Sequence, residues 1–382
     1  MRAQNERIRC AVIGTGAMGR RYAELIDSGA VDSLELTAVC CHSETARGWA
    51  AGALRKAVRV CGSEDELYEH RDEFDAVLVV TPHRLHPAMT IRALESGAHV
   101  MCDKPAGVAA ADAIRMAEVA EKTGRIYAMM CHKRTYAKHI KIKELLLSGE
   151  IGKLSRISLI HTGFFRTEYY HSSASWRSSW RGEGGGALIN QGHHILDLWI
   201  WLFGMPESII ARIPFGKYNS FSVDDESTIV MSYPDNVTGT FILSTGEGTV
   251  TERLEIVGTR GRILLEGDTL TITRLSEDTR EYSERALVTA RQELSESSES
   301  FSFCDDGKAY EKMLRNFAST IKGGETLISP GAEGADTLML INAAYLSAWE
   351  GRSVSLPIDN LEYIKKLALR EVSESAGAYK TE

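Results

Sequence analysis

The residue types best suited to chemistry cluster in Gly184-Gly185-Gly186-Ala187-Leu188-Ile189-Asn190-Gln191-Gly192-His193-His194-Ile195-Leu196-Asp197. On a helix Asn190, His194 and Asp197 stand at i, i+4 and i+7, so all three project from one face. Leu188, Ile195, Leu198, Trp199 and Leu202 supply the apolar surface that buries the rest. A neutral imidazole on such a helix is suited to accept a proton near neutral pH, with Asp197 one turn away to orient it. A hydrogen-bonded structural histidine has the same spacing. Metal binding is the weaker reading, because Asn is a poor ligand and no third strong donor stands nearby. Just upstream, Tyr169, Tyr170, Trp176 and Trp180 interleave with Arg166, Arg177 and Arg181. Aromatic faces and guanidinium groups together suit a sugar ring, with its apolar C–H faces and polar rim.

These residues need elements to hold them, and the clearest stand at the start of the chain. Cys10 to Ile13 is a short apolar run that reads as a buried parallel strand. It breaks at Gly14-Thr15-Gly16-Ala17-Met18-Gly19, and helix formers follow to Ile26. Strand, G-x-G-x-x-G and helix form the context of the dinucleotide fingerprint. Gly14 permits the tight turn, Gly16 has no Cβ to hold the backbone off a pyrophosphate, and Gly19 allows close helix packing. The helix start, at Ala17 and Met18, offers free N–H groups to the anion. From Ile8 to Met130 strands and helices alternate: Leu34–Cys41, Ala76–Val80, Ala98–Cys102 and Ile126–Met130 as strands, Leu85–Ser96 and Ala109–Thr123 as helices. That pattern predicts βαβ units and a parallel sheet covered on both faces.

In such a sheet ligands sit beyond the carboxyl ends of the strands. The rule selects Thr81, Pro82 and His86 after one strand and Asp103-Lys104-Pro105 after another, so Lys104 belongs in the cofactor crevice. Partly desolvated beside a nicotinamide cation, a lysine has its pKa lowered, as suits proton transfer.

The bulk numbers bound the rest. The 382 residues leave room for two domains with substantial cores. A net charge of −8, with no basic stripe, argues against nucleic acid as a partner. No apolar run reaches membrane-spanning length, and Met1 to Arg7 is polar, so neither an anchor nor a signal peptide is expected. Seven cysteines with no C-x-x-C pair argue against a disulfide framework or a zinc site and fit a reducing cytoplasm.

After a helix over about Lys138–Ser148 the period changes. Leu154–Phe165, Ser208–Phe215, Ser227–Tyr233, Val237–Thr245, Arg253–Val257, Arg262–Leu265 and Thr269–Thr273 read as strands, several of them alternating cleanly. This predicts a largely antiparallel sheet with one exposed or oligomer-forming face. One apolar helix, Ala187–Phe203, interrupts it. Glu293–Asp306, rich in Ser and acids, reads as a solvated loop, and Ser329-Pro330 reads as the start of a helix running to about Glu350.

The fingerprint, the Asp103-Lys104-Pro105 triplet and the Gly-Gly-Gly…Gly-x-His…Asp stretch resemble the glucose–fructose oxidoreductase/inositol dehydrogenase/MocA family over about residues 8–357. The resemblance implies an α/β protein with a Rossmann domain, residues 1–131, bound to NAD or NADP. It implies a second, α+β domain, residues 132–382, with a large, mostly antiparallel open sheet used for substrate binding and oligomerisation. The C-terminal tail is a candidate to pack back on the first domain. The family's catalytic lysine maps onto Lys104, with Asp103 in place of the usual Glu, and its catalytic histidine onto His194. Many members carry Asp where Asn190 stands, and Asn cannot titrate. Arg166, Tyr170, Trp176, Arg177, Asn190 and His194 are the candidate substrate contacts, and the local run Trp176-Arg177…Asp197-Leu198-Trp199 resembles a subgroup that oxidises glycosides, often at C3. NAD-selective members end the second strand with an acid. Here Cys41 is followed by His42, Ser43 and Glu44, with Arg47 a turn later. Ser43 and Arg47 suit a 2′-phosphate and hence NADP, whereas Glu44 would serve NAD after a small loop shift.

The expected activity is hydride transfer between nicotinamide and a secondary hydroxyl carbon of a sugar, glycoside or cyclitol by a homo-oligomer, dimer or tetramer, with no metal. Two alternatives stand beside it. One is a lyase or glycosidase using tightly held NAD, with His132, His161 or Tyr170 as its base; the other is a non-catalytic nucleotide sensor.

Overall fold

The computed structural model describes residues 6–287 and 293–375. The chain forms two compact units. The first comprises residues to Thr135, Gly182–Gly184 and Gly307–Leu338; the second comprises Tyr136–Arg181, Gly185–Asp306 and the residues from Met339 on.

The first unit is built on six parallel strands: β1 (Ile8–Ile13), β2 (Leu34–Cys40), β3 (Arg59–Cys61), β4 (Ala76–Val79), β5 (His99–Cys102) and β6 (Tyr127–Met129). Their order is β3-β2-β1-β4-β5-β6. Strands such as β4, buried throughout, read as unbroken apolar runs because helices cover both sides of the sheet. The strand order reverses between β1 and β4, and there the carboxyl ends open a crevice. β3 is absent from the sequence reading because it is three residues long and begins with Arg59, too short for any period to register.

Residues 307–338 return to this unit, and residues 376–382 of the C-terminal tail lie outside the described residues. Met313, Leu314, Phe317 and Ala318 of the helix Ala309–Ile321 join Ile8, Cys10, Val12 and Leu36 in one core. Ala128 of β6 pairs with Pro330, and Met129 N–H donates to Ser329 O at 3.0 Å, so the segment also covers an open sheet edge. Arg134 joins in, donating to Ile328 O at 3.3 Å and pairing with Glu333.

The second unit carries nine strands: β7 (Leu154–His161), β8 (Ser208–Arg212), β9 (Glu226–Ser232), β10 (Thr238–Ser244), β11 (Glu252–Gly258), β12 (Gly261–Glu266), β13 (Thr269–Leu275), β14 (Glu296–Ser302) and β15 (Val354–Ser355). Their order is β14-β13-β12-β11-β7-β10-β9-β8-β15. Every pairing is antiparallel except β7 with β10. Ile157, Leu159, Ile229, Met231, Phe241, Leu243, Leu254 and Ile256 are buried. On the other face Ile210 and Val230 sit opposite each other across β8 and β9, 48% and 40% exposed.

Two expectations are corrected. Residues 296–302 are not a loop but the edge strand β14, paired with β13. Six of its seven side chains are exposed, so the sequence holds no apolar alternation to reveal it, and the backbone ladder alone makes the strand. The helix expected over 187–203 is not uniform. Leu188–Gly192 is a π turn, and the α-helix proper runs His193–Phe203 before Gly204 ends it at φ +76°. No helix among the described residues is long and apolar enough to cross a membrane.

Candidate active site

In the first unit the chain leaves β1 through Gly14, whose φ of +93° favours glycine. A Cβ on Gly14 would land on the Val80 carbonyl oxygen, and one on Gly19 would land on the Gly14 carbonyl oxygen. Packing between β1, β4 and the helix Ala17–Asp27 therefore dictates both glycines. Gly16 differs. Its φ of −68° suits any residue, and a Cβ there would meet no protein atom within 4 Å. The helix that starts at Ala17 and Met18 has no side-chain cap and no acid in its first turn. A bare backbone at an uncapped helix start, at the reversal of strand order, fits a dinucleotide pyrophosphate.

At the end of β2, Cys41 is buried, and burial pushes its thiol up against the pull of Thr15, Arg20 and Arg47. Arg47 Nη1 donates to His42 O at 3.1 Å, and Arg20 Nε donates to Thr15 O at 3.0 Å. Ser43 is committed to the fold: its Oγ accepts the Ala46 N–H at 3.1 Å and caps the helix Glu44–Ala53. His42 and Glu44 are exposed.

Thr81 and Pro82 follow β4 as expected. His86 does not offer its ring to a ligand. It is buried, with Nδ1 2.6 Å from Pro105 O and Nε2 2.6 Å from Thr81 O, so it ties the end of β4 to the turn after β5. Burial pushes its pKa down, while both carbonyls and Asp103 pull it up. The turn itself holds Lys104 and Pro105, joined by a cis peptide bond. Lys104 N–H donates to Asp103 Oδ1 at 2.9 Å. Burial pushes the Asp103 carboxyl up, opposed first by the Lys104 charge, so the two groups feel each other directly. His132 meets the Tyr310 ring at a tilt, 4.5 Å between centroids, and burial takes its pKa down to about 3.

In the second unit Gly185 and Gly186 are explained by Asp224 and Tyr345. The Asp224 carboxylate is fully buried and accepts the Leu188 N–H at 2.6 Å, the Gly186 N–H at 2.9 Å and the Tyr345 hydroxyl at 2.6 Å. A Cβ on Gly185 would strike the Tyr345 ring, and one on Gly186 would strike the Asp224 backbone. Asp224 and Tyr345 thus anchor the first residues of the π turn, which carries Asn190 and leads into His194. Both are half-buried. Asp197 is only 2% exposed and stands at i+3 from His194 on the regular helix His193–Phe203. The π turn changes the register only relative to Asn190.

Tyr170 is the hub of the substrate candidates. Its Oη accepts from Arg177 Nη1 at 2.7 Å, Gln191 Nε2 at 3.1 Å and Asn190 Nδ2 at 3.3 Å. The Arg166 and Arg177 guanidinium groups lie 4.7 and 4.5 Å from its ring centroid, and Arg177 also stacks on Trp176 at 4.6 Å. Phe164 links this cluster to His194, 6.4 Å between ring centroids, and stacks on His161 at 4.5 Å. Trp180 stands apart from it. Buried against Tyr345, Trp349 and Phe215, with its N–H on Ser222 O, it belongs to the core. Asp224, Tyr345, Gln191 and Phe164 were not singled out from the sequence; Asp224 and Tyr345 lie 121 positions apart, and no local pattern joins them.

Residues 8–131 match the model of an oxidoreductase family, NAD-binding Rossmann fold, and residues 143–356 match the C-terminal alpha/beta domain of the same family. The first unit is thus an NAD-binding Rossmann domain, and an oxidoreductase fold spans most of the chain. Among curated proteins, the D-glucoside 3-dehydrogenase of Escherichia coli is 31% identical over 140 residues, 35% of this chain and 36% of that protein. The trans-1,2-dihydrobenzene-1,2-diol dehydrogenase of Bos taurus is 28% identical over 202 residues, 52% of this chain and 57% of that enzyme. The chain thus matches 36% and 57% of these two relatives' length. The fold also matches the WlbA dehydrogenase of Bordetella pertussis, solved with NADH and UDP-GlcNAcA. Its TM-score is 0.76 at 22% identity, covering 93% of this chain and 100% of that one.

Proposed function

The chain belongs to the glucose–fructose oxidoreductase/inositol dehydrogenase/MocA family, and from that premise we propose that it oxidises a secondary hydroxyl of a sugar, glycoside or cyclitol, or reduces the matching ketone, with NAD or NADP. The observation that carries this reading is the π turn, which presents Asn190 and His194 half-exposed beside a platform of Tyr170, Trp176 and two arginines. Such a platform suits a sugar ring.

A nicotinamide cofactor held by the Gly14–Gly19 turn would supply a hydride acceptor. His194 takes the hydroxyl proton on a ring nitrogen as the carbon–hydrogen bond yields its electron pair. Lys104, at the position of the family's catalytic lysine, would donate a hydrogen bond to the reacting oxygen and steady the charge that gathers there. Asn190, tied through Nδ2 to Tyr170 Oη, orients the substrate and moves no proton. Arg20 and Arg47, whose charges both reach Cys41 at the end of β2, support NADP, because no carboxylate ends that strand to grip a 2′-hydroxyl. The exposed pair Ile210 and Val230 supports a homo-oligomer, dimer or tetramer, built on the open sheet face. The cysteine usage supports a cytoplasmic location.

The test pairs two measurements. Nucleotide released on denaturing the purified protein is identified by mass spectrometry, which separates NAD from NADP. Lys104→Ala and His194→Ala are then assayed on a sugar panel. Each change lowers turnover by about 10²–10⁴ while cofactor affinity stays within a few-fold. Full activity in both variants would refute the mechanism.

A further inference from the structure

Arginines that lie against structure in this chain commonly meet an acid: Arg9 with Asp75 at 3.0 Å, Arg55 with Asp27 at 2.6 Å, Arg59 with Glu73 at 2.6 Å, Arg156 with Glu255 at 2.7 Å. Arg166 and Arg177 do not. Both guanidinium groups stack on the single ring of Tyr170, and among the described residues neither has a carboxylate oxygen within 4 Å. Each directs one side-chain bond to protein, Arg166 Nη1 to Phe165 O at 3.0 Å and Arg177 Nη1 to Tyr170 Oη at 2.7 Å. The Nε of each is buried and makes no hydrogen bond.

A guanidinium carries five N–H donors, so most of the donors of this pair remain undirected. Two cations held against one ring also repel each other, and aromatic contact alone does not neutralise them. The arrangement is what an oxyanion relieves, since guanidinium groups match carboxylate and phosphate oxygens in pairs. Its place is informative. Tyr170 Oη bonds Asn190, Phe164 carries both the Arg166 contact at 5.9 Å and the ring contact to His194, and Trp176 offers a face beside Arg177.

We propose that Arg166 and Arg177 form an anion subsite, and that the substrate is a sugar carrying an oxyanion, carboxylate or phosphate, which bridges the two guanidinium groups. The inference rests on the sugar-dehydrogenase reading above and narrows its substrate class from neutral glycosides to acidic sugars.

The test measures affinity of the cofactor-loaded protein by calorimetry for methyl β-D-glucoside, methyl β-D-glucuronide and glucose 6-phosphate, at low and high NaCl. At least one charged probe is expected to bind about tenfold or more tighter than the neutral glycoside, with an advantage that shrinks in salt. Tight binding of the glucuronide alone assigns a carboxylate, and of the phosphate ester alone a phosphate. Arg166→Gln and Arg177→Gln should each cut the charged-to-neutral affinity ratio by about tenfold. The double lysine variant R166K/R177K should recover only part of that ratio, because ammonium groups keep the charge and lose the fork. Equal or tighter binding of the neutral glycoside, or an unchanged ratio in both glutamine variants, overturns the inference. If neutral glycosides are still oxidised in that case, the dehydrogenase reading survives without it. If no sugar of either kind binds or is oxidised, both fall.

Discussion

Replacing Asp224 with alanine tests the claim that one buried carboxylate holds the catalytic turn. Its oxygens accept three donors, Leu188 N–H, Gly186 N–H and Tyr345 O–H, all inside the second unit. Deletion strands them where water cannot reach, and a buried unsatisfied donor costs about 1–3 kcal/mol. The Gly186 N–H and Tyr345 Oη already lie 3.3 Å apart and can partly satisfy each other. Discounting one donor for that contact leaves two, a loss of roughly 2–6 kcal/mol. Burial pushes the Asp224 carboxyl up, so part of the loss is offset by removing a group that resists ionising there. Asp224→Asn is the milder control. It keeps the shape, but its NH2 must turn toward a donor, which forfeits one bond, about 1–3 kcal/mol. Urea unfolding followed by circular dichroism gives both losses by linear extrapolation. The second readout is turnover. Two of the three bonds anchor the start of the π turn, so D224N should lose turnover even under conditions where it remains folded. If Asp224→Ala unfolds within about 1 kcal/mol of the parent and keeps full activity, Asp224 is not what holds Asn190 and His194 in place.

Other expectations are equally direct. Gly16→Ala should keep the fold, since its Cβ meets no protein atom, yet bind dinucleotide about tenfold or more weakly by fluorescence titration; Gly19→Ala should lower the melting temperature outright, by a destabilisation of about 1–3 kcal/mol or more, because its Cβ overlaps the Gly14 carbonyl. His132 makes the first unit sensitive to acid. Its folded pKa of about 3 lies below the ordinary 6.5 of an unfolded histidine, so the unfolded chain takes the proton first. The contribution of His132 is therefore complete above pH 6.5 and is lost as pH falls toward 3. At pH 5 the loss is about 2 kcal/mol. His132→Phe keeps a ring against Tyr310 and should shrink the stability difference between about pH 7.5 and pH 5 by that amount in urea titrations, whereas parallel pH curves for parent and variant would contradict it.

Much of the first unit was legible in the sequence because its signals are local. A buried parallel strand is an apolar run, and Gly14, Gly16 and Gly19 stand within one turn of it. The largely antiparallel sheet was legible for the same reason, through the alternation in β11 and β13. What stayed hidden depends on distance or on counting. The pairing of Asp224 with Tyr345 joins residues with no shared pattern. The π turn Leu188–Gly192 has no signature in the local pattern, and the burial of Asp197 is set by neighbours that the spacing does not name. His86 sits where a ligand contact is expected, yet two carbonyls claim its ring. Trp180 has the composition of a sugar platform and the environment of a core residue. β14 is a strand by backbone pairing alone.

The helix Ala309–Ile321 has a further meaning when the chain is considered as it is made. Translation at about 5–20 residues per second delivers that helix roughly 10–40 s after Thr135 has been added. Throughout that interval Ile8, Val12 and Leu36 lack the side chains of Met313, Leu314 and Phe317, and β6 lacks the segment that later covers its edge. The nascent Rossmann unit thus waits with an open apolar face and an open sheet edge while the second unit is being synthesised. Completion of the nucleotide-binding unit becomes a late event in synthesis, and a nascent chain arrested before residue 307 is the species in most need of a chaperone.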